Sequence, residues 1–388
     1  MTRLLSMICS AAVMLAASST VFAQTKTTNS NMNNGSCNKP KEECAPCKPV
    51  CKPCCFFEQG MALDDDVKPP CDVKYHPGYN ASAAIKVGCS WDFNVDASFI
   101  YWNVNQDAMD ITHVAPVATL SGVTAHPGSV VKQSTGYKPG FKVGLGWDTN
   151  FDNWNLNAEY TWLHETQTGS ATATTAAPFV ANDLFPATIG GTFTGASSSW
   201  QMHMDMVDAL VSRPFYEGTH LTVSPSAGLR GLWIRQALTV DMTGATAATS
   251  ANTSHSWAVG PKACVNTHWM VWDGLRFDGV MGASVLYTRY TSVANSETST
   301  VAGATSSVSS TSGSFSAVRP TVDMGLGLGY GMYAYSNKFF FDLAVRYDFS
   351  QFWSQNVIRN FASQLVGRDD AIGDLHMHGL TITLRCDF

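Results

Sequence analysis

The densest group of reactive side chains in this 388-residue sequence is a run of thiols. Cys37, Cys44, Cys47, Cys51, Cys54, Cys55 and Cys71 fall within 35 residues, interleaved with Lys-Pro and Ala-Pro pairs. Three chemistries compete for them. Disulfides suit an oxidising compartment. The spacings Cys44-x2-Cys47 and Cys51-x2-Cys54 suit tetrahedral zinc, although no histidine lies among them. Free thiols on a disordered tail need neither. The count is odd, so local pairing leaves at least one thiol free or bonded to Cys89, Cys264, Cys386 or another chain.

Other groups pair at short range. His376 and His378 flank Met377 as a metal pair, but they share the parity of Leu380 to Phe388. A strand running to Phe388 carries them past the roughly 9 to 11 residues that cross a bilayer, so a rim position is expected and no metal site is assigned. His203 with Asp205, or Arg230 with Asp278, would suit acid–base work. The inner face of a strand-built tube also carries such charges without any reaction. No nucleophile elbow, P-loop or zincin spacing occurs, so neither an enzyme nor a cofactor is expected.

The elements that must position these groups alternate with period two. Trp91, Phe93, Val95, Ala97, Phe99 and Tyr101 oppose Asp92, Asn94, Asp96 and Ser98. Phe141, Val143, Leu145 and Trp147 oppose Lys142 and Asp148. Trp154, Leu156, Ala158, Tyr160 and Trp162 oppose Asn153, Asn155, Asn157, Glu159 and Thr161. Later, Met324 to Met332 oppose Asp323 and four glycines, and Phe339 to Phe349 oppose Asp342, Arg346 and Asp348. Strands read this way and helices do not. Aromatics gather at the ends of the runs, where a membrane interface would hold them.

Arg3 is the only charge before an apolar stretch that closes in Val21-Phe22-Ala23, so residues 1–23 read as a secretory signal peptide. Its loss takes the formal net charge from −6 to −7. Beyond it no run of 18 apolar residues exists, so any membrane crossing must be by strands. Only 14% of residues are charged and no basic patch suits nucleic acid, so none is expected as a partner. Residues 24–80 form a polar, Cys- and Pro-rich segment. Alternation begins at Ala81, which sets residues 81–388 apart as the strand region.

Connections alternate in length. Short turns fall at 149–152, 214–218, 272–274 and 335–337, and long polar loops at 104–137, 166–199, 236–256, 291–318 and 350–373. Transmembrane barrels obey this rule, with short periplasmic turns and long outer loops. The expected fold is therefore all-β: a transmembrane antiparallel barrel of about ten strands. Twelve or more stay open if Ala81 to Gly88 and Met109 to Ala118 also contribute. Phe352, Val357, Ile358, Phe361 and Leu365 recur at helical spacing and place a short helix in the last loop. Loop 291–318, almost all Ser, Thr, Ala and Gly, reads as mobile and external.

The final ten residues, GLTITLRCDF, put Leu380, Ile382, Leu384, Cys386 and Phe388 on one face and Thr381, Thr383, Arg385 and Asp387 on the other. A barrel must pair its last strand with its first. This strand, ending on Phe388, is expected to be what the barrel assembly machinery reads. The polar parity set, Lys142, Glu159, Asp205, Arg230, Arg276, Asp278, Asp323, Asp342, Arg346 and Arg385, is assigned to the lumen. Both signs are present, so a water-filled lumen would be weakly ion-selective.

Several stretches together resemble the major outer membrane porin family of chlamydia-like and Legionella-type bacteria. They are Ala97 to Trp102 (ASFIYW), Pro139 to Gly146 (PGFKVGLG), Asn157 to His164 (NAEYTWLH), Asp208 to Phe215 (DALVSRPF), Pro225 to Gln236 (PSAGLRGLWIRQ), Ala258 to Lys262 (AVGPK), Phe349 to Asn356 (FSQFWSQN) and the C-terminal strand. The resemblance implies a non-enzymatic, pore-forming barrel in the bacterial outer membrane, passing small hydrophilic solutes and ions. An adhesin, binding host or surface ligands through its long loops, is the alternative. The cysteine-rich leader departs from the Legionella-type pattern and is similar to the disulfide-linked envelopes of chlamydia-like organisms. Expected partners are membrane lipid and other Cys-rich envelope proteins, with a homo-oligomer left open.

Overall fold

A strand that is apolar on one side and polar on the other still has two edges to satisfy. The computed structural model describes residues 92–114, 129–149, 151–175, 177–272, 274–301, 303–334, 338–367 and 372–388, and there the edges are satisfied by closure. The elements are β1 (Phe93–Gln106), β2 (Asp110–Val114), β3 (Val130–Lys132), β4 (Tyr137–Asp148), β5 (Asn155–Thr172), β6 (Phe179–Val180), β7 (Thr192–Phe193), β8 (Gly195–Ser212), β9 (Tyr216–Glu217), β10 (Leu221–Thr243), β11 (Ala247–Met270), β12 (Leu275–Val301), β13 (Ala304–Ala334), β14 (Phe339–Asn356), α1 (Asn360–Leu365) and β15 (Gly373–Asp387).

Ten of these form the ring β1-β4-β5-β8-β10-β11-β12-β13-β14-β15. β15 closes it on β1 in antiparallel register from Asn94↔Asp387 to Gln106↔Leu375. At the seam Phe93 and Phe388 exchange backbone hydrogen bonds of 3.0 and 2.9 Å. The expected pairing of last strand with first is thus present, and ten is the number of wall strands among the described residues.

The wall is uneven in height. β4 has 12 residues and β1 has 14, whereas β10 to β13 have 23, 24, 27 and 31. A tilted strand needs only about 9 to 11 residues to cross lipid. The surplus on β10 to β13 stands clear of it.

This corrects two of the loops expected from sequence. Residues 236–256 and 291–318 are mostly strand, joined by tight reversals after Thr243 and Val301, the second with Gly303 at φ 82°. Their Ser, Thr and Ala differ too little between faces to read as strands, but the neighbouring backbone pairs them.

Loops 104–137 and 166–199 leave the wall in part and build a second, four-stranded sheet in the order β3-β2-β6-β7. The candidate strand within Met109 to Ala118 is therefore real over Asp110–Val114 but lies outside the ring. α1 supplies the short helix expected in loop 350–373, but of the five residues at helical spacing it carries only Phe361 and Leu365, and Phe352 belongs to strand β14. At the opposite end turns are tight: Thr149 N–H donates to the Trp154 carbonyl at 2.9 Å, with Asp152 and Asn153 at φ 54° and 56°, a conformation these residue types tolerate. The signal peptide, the cysteines Cys37 to Cys71, Ala81 to Gly88, and Asn150, Asp273 and Asn337 at the turn tips lie outside the described residues.

Outward-facing aromatics form two belts. Phe93, Trp147, Trp269, Phe277 and Tyr330 mark the short-turn end, and Tyr101, Tyr137, Trp233, Trp257 and Tyr287 the tall-hairpin end, all exposed. Between them on β12 lie Gly279, Met281, Ala283 and Val285. An apolar band flanked by two aromatic girdles is the outer surface a lipid bilayer selects.

Candidate functional site

Alternation sends the other side chain of each pair inward, and the short-turn half of the lumen is filled with charge. Arg230 grips Asp208 with two hydrogen bonds, Nε to Oδ1 at 2.7 Å and Nη2 to Oδ2 at 2.8 Å. It also reaches Asp323, three strands along the ring, at 2.8 Å. Lys262 Nζ lies 2.7 Å from Asp208 and 3.3 Å from Asp323. Two cations and two carboxylates thus tie β8, β10, β11 and β13 together.

A second tie joins Arg276 on β12 to Asp342 on β14, Nη1 to Oδ1 at 2.8 Å, with Asp278 2.6 Å from Arg276 Nε. It passes over β13, and Gly329 makes room for it: a Cβ there would lie 2.8 Å from the guanidinium carbon. His268 completes this group, 2.7 Å from Asp278. Lys142 pairs with Glu159 at 3.5 Å and stands over the Trp102 ring. Arg346 lies 3.6 Å from Asp348 and Arg385 2.7 Å from Asp387. Buried pairs of this kind contribute little net stability, but losing one partner strands the other at a cost of about 3–5 kcal/mol.

Of the ten residues assigned to the lumen from sequence, nine face inward. Asp205 faces outward and is corrected here. In QMHMDMV the methionines look like the greasy face, yet Met202, Met204 and Met206 are buried inside the barrel. They point inward because the tall-hairpin half of the lumen is apolar. Asp205 is held on the outer surface by the Tyr160 hydroxyl, which donates to it at 2.6 Å, and by His164 at 3.5 Å. Asp208 and Lys262, both central to the ion cluster, were missed. Parity could have found Asp208 from its outward neighbours Val207, Ala209 and Val211, had the methionine run not reversed the reading.

The apolar half of the lumen is one packed cluster. Ile100, Trp102, Leu163, Trp200, Met202, Leu232, Ile234 and Leu286 come from the wall, and Met109, Ile111, Phe179, Leu184, Phe185 and Ile358 from the segments folded into the mouth. Polar contacts anchor those segments. Arg359 and Ser363 both bond Asp183, Asn182 donates to the carbonyls of Asp110 and Ile111, and the buried Glu297 carboxylate accepts from Ala187 N–H, Thr188 N–H and the Thr188 hydroxyl.

The expected histidine pair separates at the rim. His376 lies 3.4 Å from Asp107, whereas His378 bonds the Tyr347 hydroxyl at 2.6 Å. Asp107, Asp374 and His376 bring ligand atoms within 4.8 Å of one another. Cys264 is a free thiol buried on the inner face and Cys386 a free thiol on the outer face.

A closed antiparallel ring with an apolar band, two aromatic girdles and a charged interior defines an outer-membrane β-barrel protein. The chain belongs to the Legionella major outer membrane protein family: residues 88–388 match the family model for the Legionella pneumophila major outer membrane protein precursor. Its place is the bacterial outer membrane. No curated protein matches the chain. Among solved structures it is similar to the Escherichia coli outer membrane protease OmpT, at 9% identity over 76% of this chain and 96% of that one with a TM-score of 0.35. It is also similar to the Yersinia pestis attachment invasion locus protein Ail, at 10% identity over 76% and 97% with a TM-score of 0.20. A third is the Pseudomonas putida toluene transporter TodX, at 10% identity over 81% and 99% with a TM-score of 0.26.

Proposed function

We propose that the protein is a narrow porin for small hydrophilic solutes and ions, with its short turns in the periplasm and its tall hairpins outside the cell. The observation that carries this reading is the charge lining of the short-turn half. Asp96, Asp208, Asp348 and Asp387 join the carboxylates assigned from sequence, so negative charge exceeds positive on that face, and weak cation preference follows. In the arrangement described, the packed mouth obstructs the lumen. Conduction therefore requires the segments held by Arg359, Asp183 and Glu297 to move aside. Conductance in planar bilayers tests the reading: small, weakly cation-selective steps are expected, and a folded barrel that gives none, with or without the mouth segments anchored, overturns it.

The second reading is a surface adhesin, and the specific observation in its favour is the height of β10 to β13 beyond the girdle. Their outward face is rich in Ser and Thr, a surface for ligands rather than lipid. We further propose that Cys37 to Cys71 cross-link the protein to neighbouring envelope proteins or to its own copies, since exposed thiols in an oxidising space exchange readily.

A further inference from the structure

Four nitrogen-bearing side chains stand shoulder to shoulder on the outer surface of the barrel. Register pairs His164 on β5 with His203 on β8, His203 with Arg235 on β10, and Arg235 with His255 on β11. One step nearer the membrane the same strands present Trp162, Asp205, Trp233 and Trp257 in directly paired positions. The row of bases therefore sits immediately above the aromatic girdle, facing the perimeter, at the depth where lipid headgroups lie.

We propose that this row binds an anionic lipid headgroup, one whose phosphate charge is not neutralised by a headgroup cation. Adjacent strands are about 4.8 Å apart, so four neighbouring positions span roughly 14 Å, enough for more than one phosphate oxygen cluster. Arg235 and His203 are exposed, and the guanidinium presents paired donors that match phosphate geometry. The His164 and His203 rings stack at 4.2 Å and 8°, which sets the two rings parallel and side by side. Arg289, opposite Trp257 on β12, adds a second guanidinium beside Arg235 while donating to the Ser316 hydroxyl at 3.1 Å. Among the described residues the carboxylate beside this row is Asp205, a step below it and occupied by Tyr160 and His164.

A free anion would have no reason to meet this row at girdle height on the barrel's perimeter, whereas a lipid headgroup is carried there by its own chains. With the orientation proposed above, the headgroup belongs to the outer leaflet. The binding chemistry does not depend on whether the barrel conducts.

Native mass spectrometry of the detergent-purified full chain, mixed with phosphatidylglycerol or with phosphatidylcholine, tests the proposal. Wild-type protein should retain phosphatidylglycerol over phosphatidylcholine. Arg235→Gln should weaken that retention about fivefold, Arg235→Gln with His203→Gln further, and Arg235→Lys should preserve most of it. Heat-modifiable gel migration shows whether each variant is folded. Equal retention of the two lipids by wild type, or undiminished phosphatidylglycerol retention by a folded double variant, would overturn the site while leaving the channel reading untouched.

Discussion

Arg230 meets Asp208 through two parallel hydrogen bonds in the interior of the barrel, both side chains almost wholly buried. They are 22 residues apart in sequence, and the register of β10 on β8 sets them opposite each other. Arg230→Leu is expected to destabilise the folded barrel by about 3–5 kcal/mol, because Asp208 and Asp323 then lose a shared cation. The double variant Arg230→Leu with Asp208→Leu should cost less than the sum of the single ones. Urea unfolding in lipid vesicles, run as a double-mutant cycle, measures both.

The outer surface offers a test of where the bilayer lies. Leu343 is half exposed between the girdles on β14, and Leu343→Arg should cost about 2–4 kcal/mol. Ser310→Arg, on the outward face of tall β13, should change stability by less than about 0.5 kcal/mol. Asp342→Arg is no mild control, since Asp342 is the partner of Arg276. Comparable losses for Leu343→Arg and Ser310→Arg would move the membrane boundary.

The mouth segments should control conductance. Arg359 and Ser363 converge on Asp183, so Asp183→Ala removes the acceptor for both. Single-channel recordings should show a higher open probability than wild type, with unchanged weak cation preference. A channel whose conductance ignores Asp183→Ala would place the obstruction elsewhere.

Orientation can be read on whole cells. A tag beside Ser306, next to the β12–β13 reversal, should be reached by added antibody, as should one at Thr172 at the end of β5. A tag beside Gly218, in the short turn before β10, should not. Labelling at Gly218 alone would invert the topology.

The cysteine leader gives the last expectation. Non-reducing gels of envelopes prepared with thiols blocked at lysis should show high-mass species that collapse to monomer with reductant. Replacing Cys37, Cys44, Cys47, Cys51, Cys54, Cys55 and Cys71 by Ser should abolish them. Monomer without reductant would leave intrachain pairs or zinc.

Period-two contrast is a local property, so it was legible wherever the bilayer and a charged lumen act on opposite faces. Phe141 to Trp147 against Lys142, and Leu380 to Phe388 against Arg385, announced strand, face and barrel without any coordinates. That the last strand pairs with the first followed from the physical need to leave no edge in lipid, whereas the register that sets Phe93 against Phe388 is a property of the closed ring. Contrast fails where both faces meet similar surroundings. Ser and Thr occupy both faces of 291–318 where the hairpin rises clear of the bilayer, so two long strands read as a loop. It misleads where the lumen turns apolar: Met202 to Met206 point inward only because the mouth segments supply Phe179, Leu184 and Phe185 to cover them, and Asp205 is left outside. Partners across the ring, such as Arg230 with Asp323, and neighbours along it, such as His203 with Arg235, depend on the register of every intervening strand. Sequence determined that those side chains exist and which are charged, and closure of the ring decided which of them meet.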